Sequence, residues 1–175
     1  MIVLASASPR RQELLRNAGI PFTVQPADIV ETPLEDESPK ACAERLAWEK
    51  ALAVSKSWPQ DYVLGADTIV VVDGAILGKP RDPDDAIRML RLLSGRAHVV
   101  ITGVCLAGPV ASESKPRIAS EATSVTMHEI SDDEIRNYVA TGEPMDKAGA
   151  YAIQGIASRW IPRIEGDYSN VVGLP

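Results

Sequence analysis

The sequence predicts an α/β protein in which helices flank a mixed, twisted sheet. Helix-opening signals recur at Ser8-Pro9, Ser38-Pro39 and Asp82-Pro83, each with a capping side chain directly before a proline. Asp73-Gly74 is a two-residue hairpin signal, which adds an antiparallel pair to the sheet. Strands and helices mix without strict alternation, which favours a mixed sheet over a purely parallel one. The 175 residues are expected to form a single domain, 1–175.

Four elements are predicted before residue 60. Residues 1–5 form a short buried strand, a helix runs from about Pro9 to Ala18, and residues 22–25 form a second strand. An acidic loop follows over residues 31–37. The next helix starts after Ser38 and reaches about Trp58, with small and aliphatic residues spaced along one side.

The middle of the chain is dominated by long strands. These cover residues 62–72, 75–78, 97–107 and 118–128, with a polar loop over 108–116. A helix opens at Asp82-Pro83 and ends at Gly95, and Ser131 with Glu134 forms a capping box for another helix. The remainder is rich in glycine and is predicted to form short strands.

Charge and composition restrict the class of ligand. The net charge is −6, so non-specific nucleic-acid binding is not expected, and the arginines and lysines must act locally on a small polyanion. Cys42 and Cys105 have no metal-type spacing, and no signal-like or membrane-length apolar run occurs, which predicts a cytoplasmic protein without membrane contact. A Walker A loop and a G-x-G-x-x-G motif are both missing from the sequence.

The segment Ser6-Ala7-Ser8-Pro9-Arg10-Arg11 predicts an anion site. It joins a strand to a helix start, where backbone N–H groups and the positive end of the helix dipole point to one place. Two arginines occupy the first turn, where the dipole alone would favour acidic residues. Phosphate is therefore the expected ligand.

Asp67 lies inside an apolar strand, where a carboxylate must be paired, hydrogen-bonded or metal-bound. It is either part of a structural ion pair or a general base or metal ligand. Gly65 would allow a ligand or a backbone to approach closely. Counting back from the hairpin, Lys79 pairs with Thr68, so only a bulge would bring Lys79 beside Asp67; otherwise Lys79 is an edge-strand charge.

Lys50 and Glu31 are weaker candidates from position alone. A lysine on a helix is usually solvated, and Glu31 belongs to an acidic loop. No role is assigned to His98 or His128. The local signals suit metal-assisted hydrolysis of a phosphate ester or anhydride, and they equally suit a phosphate-ligand sensor without catalysis.

The chain resembles the Maf family, nucleoside triphosphate pyrophosphatases first described as septum-formation inhibitors. The resemblance covers essentially the whole chain. It rests on six motifs in order: Ser6-x-Ser8-Pro9-Arg10-Arg11, Gly65-Ala66-Asp67-Thr68, Leu77-Gly78-Lys79-Pro80, Gly142-Glu143-Pro144 with Lys147-Ala148-Gly149-x-Tyr151, Ile153-Gln154-Gly155, and the segment 166–175.

This resemblance implies a two-lobed α/β fold with a central cleft, like that of inosine triphosphate pyrophosphatases. It implies a hydrolase acting on acid anhydrides, which cleaves between the α- and β-phosphates with a divalent cation, Mg²⁺ or Mn²⁺. Asp67 matches the catalytic acid, and Glu31 together with Asp67 matches the metal site. Substrate contacts are expected from Ser8, Arg10, Arg11, Lys50, Thr68, Lys79 and Gln154.

Arg10, Thr68 and Gln154 resemble the subgroup that acts on dTTP and UTP. A glutamine amide can both donate to and accept from the edge of uracil or thymine, whereas a carboxylate only accepts and would suit guanine. The same chemistry on other or modified nucleotides, such as 7-methyl-GTP, is one alternative. A nucleotide-binding regulator of septum formation is another, and a homodimer is left open.

Overall fold

The structure is a computed structural model that describes residues 1–112 and 114–175. Within these residues, seven strands form one mixed sheet in the order β2-β1-β3-β5-β6-β7, with β4 paired to β3. The strands are β1 (Ile2–Leu4), β2 (Phe22–Val24), β3 (Tyr62–Val72), β4 (Ala75–Leu77), β5 (Ala97–Ala107), β6 (Arg117–Thr126) and β7 (Arg163–Glu165). The pairs of β1 with β2 and β3 are parallel, while β3–β4 and β6–β7 are antiparallel. The predicted mixed sheet is therefore confirmed.

Four helices of the described residues begin where the capping signals predict, and a fifth, Tyr168–Val172, was not predicted. They are α1 (Pro9–Asn17), α2 (Pro39–Ser55), α3 (Pro83–Leu93), α4 (Asp132–Ala140) and α5 (Tyr168–Val172). Ser8, Ser38 and Asp82 each accept a backbone N–H from the first turn of α1, α2 and α3, and a proline follows each cap. Both halves of the capping box of α4 are formed. Three of the five starts are thus encoded by a polar cap followed by proline.

The hairpin between β3 and β4 has the predicted two-residue turn. Asp73 and Gly74 have φ angles of 51° and 77°, the left-handed conformation that this turn type requires at both positions. Val72 pairs with Ala75 and Val70 with Leu77 in a regular register. The predicted return strand reached Gly78, and the observed one ends one residue earlier.

Two glycines allow α2 to lie directly on the sheet. A Cβ on Gly65 would lie 2.1 Å from the carbonyl oxygen of Ala47, and one on Gly103 would lie 2.2 Å from that of Ala43. The approach anticipated at Gly65 is therefore made by a helix backbone. Glycines on the strands and alanines on α2 allow the helix to approach β3 and β5 closely. This close approach determines which side chains of α2 reach β3.

The C-terminal part differs from the prediction. Instead of several short strands, residues 142–160 form three short 3₁₀ helices, Glu143–Asp146, Ala148–Ala150 and Ile156–Trp160, and a single strand, β7, follows. The helix predicted to reach Trp58 ends at Ser55. In the predicted polar loop over 108–116, Val110–Ser112 forms a 3₁₀ turn and Glu113 lies outside the described residues.

The contacts divide the chain into two units. The first comprises Met1–Thr68, Thr102–Glu121 and Gly173–Pro175, and the second comprises Ile69–Ile101 and Ala122–Val172. In the first unit, α2 packs on β1, β3 and β5 around a buried cluster that includes Val3, Val63 and Cys105. In the second, α3 packs on α4, and the rings of Tyr138 and Trp160 meet edge to face.

Of the part of the chain that the structure describes, no helix combines the length and apolar character needed to cross a lipid bilayer.

Candidate active site

Asp67 is buried and paired with a lysine of α2. Side chains alternate along a strand, so Asp67 faces the same way as Gly65, which is the side covered by α2. On α2, Lys50 follows Ala47 by three residues and therefore shares its face. Lys50 Nζ donates to Asp67 Oδ1 at 2.6 Å, and the two residues are only 7% and 5% exposed. The close helix–strand contact thus produces a buried ion pair.

This geometry corrects two expectations from the sequence. Lys50 was expected to be solvated from its position alone, and this was wrong because the small residues of α2 lower its backbone onto the sheet. The ion pair considered for Asp67 exists, and its cation is Lys50. The predicted pairing of Lys79 with Thr68 was also wrong, because the β3–β4 ladder ends at the Val70–Leu77 pair; its three pairs are regular and contain no bulge.

Glu31 converges on the same lysine. Its Oε1 lies 2.9 Å from Lys50 Nζ, so one ammonium group joins the carboxylates of Glu31 and Asp67. The Glu31 side chain is 39% exposed, whereas that of Asp67 is 8% exposed. The acidic loop therefore contributes one specific carboxylate to a buried ion cluster rather than serving only as a solvated segment.

Arg11 is held by three oxygen acceptors. Its Nε donates to the carbonyl oxygen of Gly173 at 2.7 Å, one terminal nitrogen donates to Ser6 Oγ at 3.1 Å and the other to Thr68 Oγ1 at 2.9 Å. These bonds use three of the five N–H groups of the guanidinium. Burial lowers the pKa of Arg11, and the negative charge of Asp67 opposes this shift. Arg11 thus connects the N-terminal turn to the strand that carries Asp67.

The serine turn before α1 has the geometry of a helix cap. Ser8 Oγ accepts the backbone N–H of Arg11 at 3.4 Å, and Ser6 Oγ accepts the N–H of Ser8 at 3.2 Å. Ser6 is buried, while Ser8 and Arg10 are half-buried. Arg10 is therefore the more accessible of the two arginines, at the positive end of the helix dipole.

Thr68 joins this network through its hydroxyl. Besides accepting from Arg11, Thr68 Oγ1 lies 2.8 Å from Thr102 Oγ1, and Thr102 is fully buried on β5. Thr68 is predicted to contact substrate, and these bonds were not predicted from the sequence. Within the first unit, this hydroxyl helps to orient the guanidinium of Arg11.

The remaining predicted substrate contacts, Lys79 and Gln154, belong to the second unit. Lys79 follows β4 and is exposed. Gln154 lies between two 3₁₀ helices and is also exposed. The structure therefore groups Ser8, Arg10, Arg11, Glu31, Lys50, Asp67 and Thr68 in the first unit and these two residues in the second.

Three residues of the network, Ser6, Thr102 and Gly173, were not among the predicted site residues. Thr102 carries a buried hydroxyl inside the apolar strand β5, a signal comparable to the one that identified Asp67, whereas Ser6 belongs to the turn already predicted as an anion site. Gly173 contributes only a backbone carbonyl, 162 residues away from Arg11 in the chain. No residue pattern signals such a contact.

The site offers a divalent metal the carboxylates of Glu31 and Asp67. Among residues 1–112 and 114–175, no group of three or more His, Cys, Asp or Glu side chains is placed to hold an ion. The carboxylates of Glu31 and Asp67 do converge on one point, Lys50 Nζ. Magnesium is commonly bound by one or two carboxylates together with substrate phosphates, so this pair fits a metal that arrives with a phosphate ligand.

The fold and this cluster define an α/β protein with a buried acid–cation site beside a helix N-terminus. The family model described as "Maf-like protein" matches residues 1–175. The chain belongs to this family.

Individual relatives agree with the family assignment. The chain is 58% identical over 174 residues to a protein of Koribacter versatilis named "dTTP/UTP pyrophosphatase", covering 99% of this chain and 88% of the relative. A Symbiobacterium thermophilum protein of the same name is 54% identical over 174 residues, with 99% and 88% covered. Among solved structures, a HAM1 protein from Coxiella burnetii is similar with a TM-score of 0.48 and 20% identity, over 85% of each chain.

Proposed function

We propose that this protein is a nucleoside triphosphate pyrophosphatase that hydrolyses dTTP and UTP to the monophosphate and pyrophosphate. The observation that carries the proposal is the buried Asp67 carboxylate, paired with Lys50 and followed by Thr68, whose hydroxyl accepts from the Arg11 guanidinium. The names of the relatives support the reaction and the substrates.

Asp67 is assigned the role of general base. Its Oδ1 is held by Lys50, which leaves the second oxygen to accept a proton from an attacking water. As the water oxygen bonds to phosphorus, the P–O bond between the α- and β-phosphates breaks and pyrophosphate leaves. Lys50 fixes the orientation of the carboxylate through this hydrogen bond.

The arginines supply positive charge for the phosphates. Arg11 has two N–H groups beyond its three hydrogen bonds, and Arg10 extends from the first turn of α1. Preorganised donors of this kind stabilise charge that develops on phosphate oxygens without reorganising during the reaction. Lys79 is retained as a further phosphate contact on the strength of the family resemblance.

Glu31 and Asp67 are the residues proposed to hold the divalent cation, Mg²⁺ or Mn²⁺. When bound, the cation would polarise phosphate oxygens and offset the charge of the triphosphate.

Gln154 is proposed to contact the base. Its amide carries both a donor and an acceptor, which matches N3–H and a carbonyl of uracil or thymine. The side chain is exposed and so is accessible to a ligand.

The proposal is tested with the purified protein, Mg²⁺ or Mn²⁺, and a panel of dTTP, UTP, CTP, GTP and 7-methyl-GTP. Pyrophosphate and orthophosphate are measured separately. Release of pyrophosphate with the highest kcat/KM for dTTP and UTP is the expected result. Nucleotide binding without release of pyrophosphate from any substrate would instead indicate a nucleotide-binding regulator.

A further inference from the structure

The carboxylate of Glu143 contacts the turn that carries Gln154, and the proposed reaction gives this carboxylate no role. Glu143 Oε1 and Oε2 lie 3.2 and 3.3 Å from the backbone nitrogen of Ile156, so both oxygens accept the same N–H. Ile156 begins the 3₁₀ helix Ile156–Trp160, where the amide has no partner within the helix. Glu143 therefore caps the segment directly after Gln154.

Gly155 provides the space for this carboxylate. A Cβ on Gly155 would lie 1.5 Å from Glu143 Oε1 and 2.6 Å from Glu143 Cδ. The φ of Gly155 is −97°, which any residue adopts, so the backbone conformation alone does not require glycine here. What requires it is the position of the Glu143 side chain.

The backbone of Glu143 is itself fixed. Its N–H donates to Thr141 Oγ1 at 3.2 Å, and its carbonyl oxygen accepts from Lys147 Nζ at 2.7 Å. The preceding Gly142 makes the left-handed turn out of α4, with φ of 78°. The carboxylate is therefore directed at the Gln154 turn from an anchored position.

The other end of the turn is also anchored. The backbone N–H of Ala152 donates to the hydroxyl of Tyr138 at 3.4 Å, and that of Gly155 donates to the carbonyl of Ala152 at 3.0 Å. Ala152 is buried, whereas the Gln154 side chain projects into solvent. The orientation of an exposed side chain depends on its backbone, and here the backbone is held by Tyr138 before Gln154 and by Glu143 after it.

We propose that Glu143 is a positioning residue for base selectivity: its carboxylate fixes the turn that presents Gln154. This inference rests on the proposed function, which assigns Gln154 to the base. Glu143 itself contacts neither the base nor the phosphates. Its loss should therefore reduce discrimination between bases more than it reduces the maximal rate.

The test is a double-mutant cycle. Glu143→Ala removes the carboxylate, and Gly155→Ala displaces it by placing a methyl group where an oxygen lies. Each single variant should accelerate hydrogen exchange of the Ile156 amide by about tenfold or more, since a charge-assisted hydrogen bond is lost. Each should also lower the dTTP/GTP ratio of kcat/KM by roughly fivefold or more, mainly through KM for dTTP.

The cycle makes a further prediction about the double variant. In the Glu143→Ala background no carboxylate remains for the alanine methyl to displace, so Gly155→Ala should add little to either effect. Glu143→Gln keeps an oxygen that accepts the Ile156 N–H and should preserve most of the selectivity. If Glu143→Ala folds poorly, Gly155→Ala tests the same contact with the glutamate present.

Three outcomes would overturn the proposal, and they are distinguishable. Unchanged exchange at Ile156 in both single variants would show that the carboxylate does not hold the turn. Faster exchange with an unchanged substrate ranking, while Gln154→Glu shifts that ranking, would reject the role of Glu143 and leave the proposed function intact. An unchanged ranking in Gln154→Glu as well would reject the assignment of Gln154 to the base, and this inference with it.

Discussion

The Asp67 cluster, formed by Arg11, Glu31, Lys50 and Asp67, and the Gln154 turn, residues 152–156, are held in place by different means. In the first unit, the charged side chains of Arg11, Lys50 and Asp67 are buried, and each is held by hydrogen bonds to other residues, as Lys50 holds Asp67. In the second unit, Gln154 is exposed and only its backbone neighbours are fixed, by Glu143 and Tyr138. A buried charge that loses its partner destabilises the fold, whereas an exposed amide can be exchanged at little structural cost. Changes that leave a buried charge of the cluster without a partner should therefore lower stability as well as rate, and changes at the turn should mainly affect selectivity.

Asp67→Asn tests the catalytic side of this comparison and has the largest expected effect. Loss of a general base lowers turnover by about 10²- to 10⁴-fold. Lys50 keeps Glu31 as a partner at 2.9 Å, so the variant should remain folded and still bind nucleotide. Single-turnover kinetics, nucleotide binding and Tm are measured on the same preparation. Full turnover would remove Asp67 from the mechanism, and a large drop in Tm would favour a structural ion pair.

Comparing Arg11→Ala with Arg10→Ala separates an effect on stability from an effect on substrate binding. Arg11→Ala removes the hydrogen bonds to Ser6, Thr68 and the Gly173 carbonyl and should destabilise the protein by on the order of 3 kcal/mol. Arg10→Ala should leave Tm nearly unchanged and weaken triphosphate use by about 10- to 150-fold, the equivalent of one charge-assisted contact. Denaturant unfolding and kcat/KM for dTTP separate the two effects. Equal losses of stability would contradict the distinction.

His98 is a buried titratable residue of the second unit. His98 is 3% exposed, its Nε2 lies 2.7 Å from the Tyr151 hydroxyl, and its Nδ1 has no hydrogen-bond partner among the described residues. Burial lowers the pKa of His98 to about 4. The second unit therefore buries this group in its neutral form, in contrast to the buried charges of the first.

The pH dependence of stability follows from this shift. Above the ordinary histidine pKa of about 6.5, both folded and unfolded chains are neutral at this position and its contribution is fully present. Between pH 6.5 and 4 only the unfolded chain takes up the proton, so the free energy of unfolding should fall by about 3 kcal/mol in total. His98→Gln should have a flatter profile over this range. Parallel profiles for the two proteins would show that His98 titrates normally.

The sequence predicted the features that depend on neighbours in the chain. Caps at Ser8, Ser38 and Asp82, the Asp73-Gly74 turn and the bounds of β3 and β5 were confirmed because each is a local preference. The burial of Lys50 was not predicted, because it depends on how closely α2 approaches the sheet. In retrospect, Gly65 two residues before Asp67 and Ala47 three residues before Lys50 carry that information.

Contacts between residues far apart in the chain could not be predicted from the sequence. The Arg11–Gly173 bond joins residues 162 positions apart through a backbone carbonyl, which every residue possesses. The 3₁₀ segments of residues 142–160 were mistaken for strands, since they depend on anchors such as Glu143 rather than on apolar periodicity. Glu143 itself belonged to a family motif without an assigned role, and only the position of its carboxylate suggested one.

Gln154→Glu tests the selectivity side of the comparison and has the smallest expected effect. The carboxylate cannot donate to a pyrimidine carbonyl and would place an acceptor against an acceptor, which costs about 1–3 kcal/mol. The kcat/KM for dTTP and UTP should fall by roughly 5- to 150-fold relative to guanine nucleotides. Because the side chain is exposed, Tm should not change. A panel of dTTP, UTP, CTP, GTP and 7-methyl-GTP on both proteins measures the shift. A lower Tm, or a lower rate on every substrate, would mean that Gln154 affects stability and rate as the residues of the Asp67 cluster do. The contrast between the two regions would then fail.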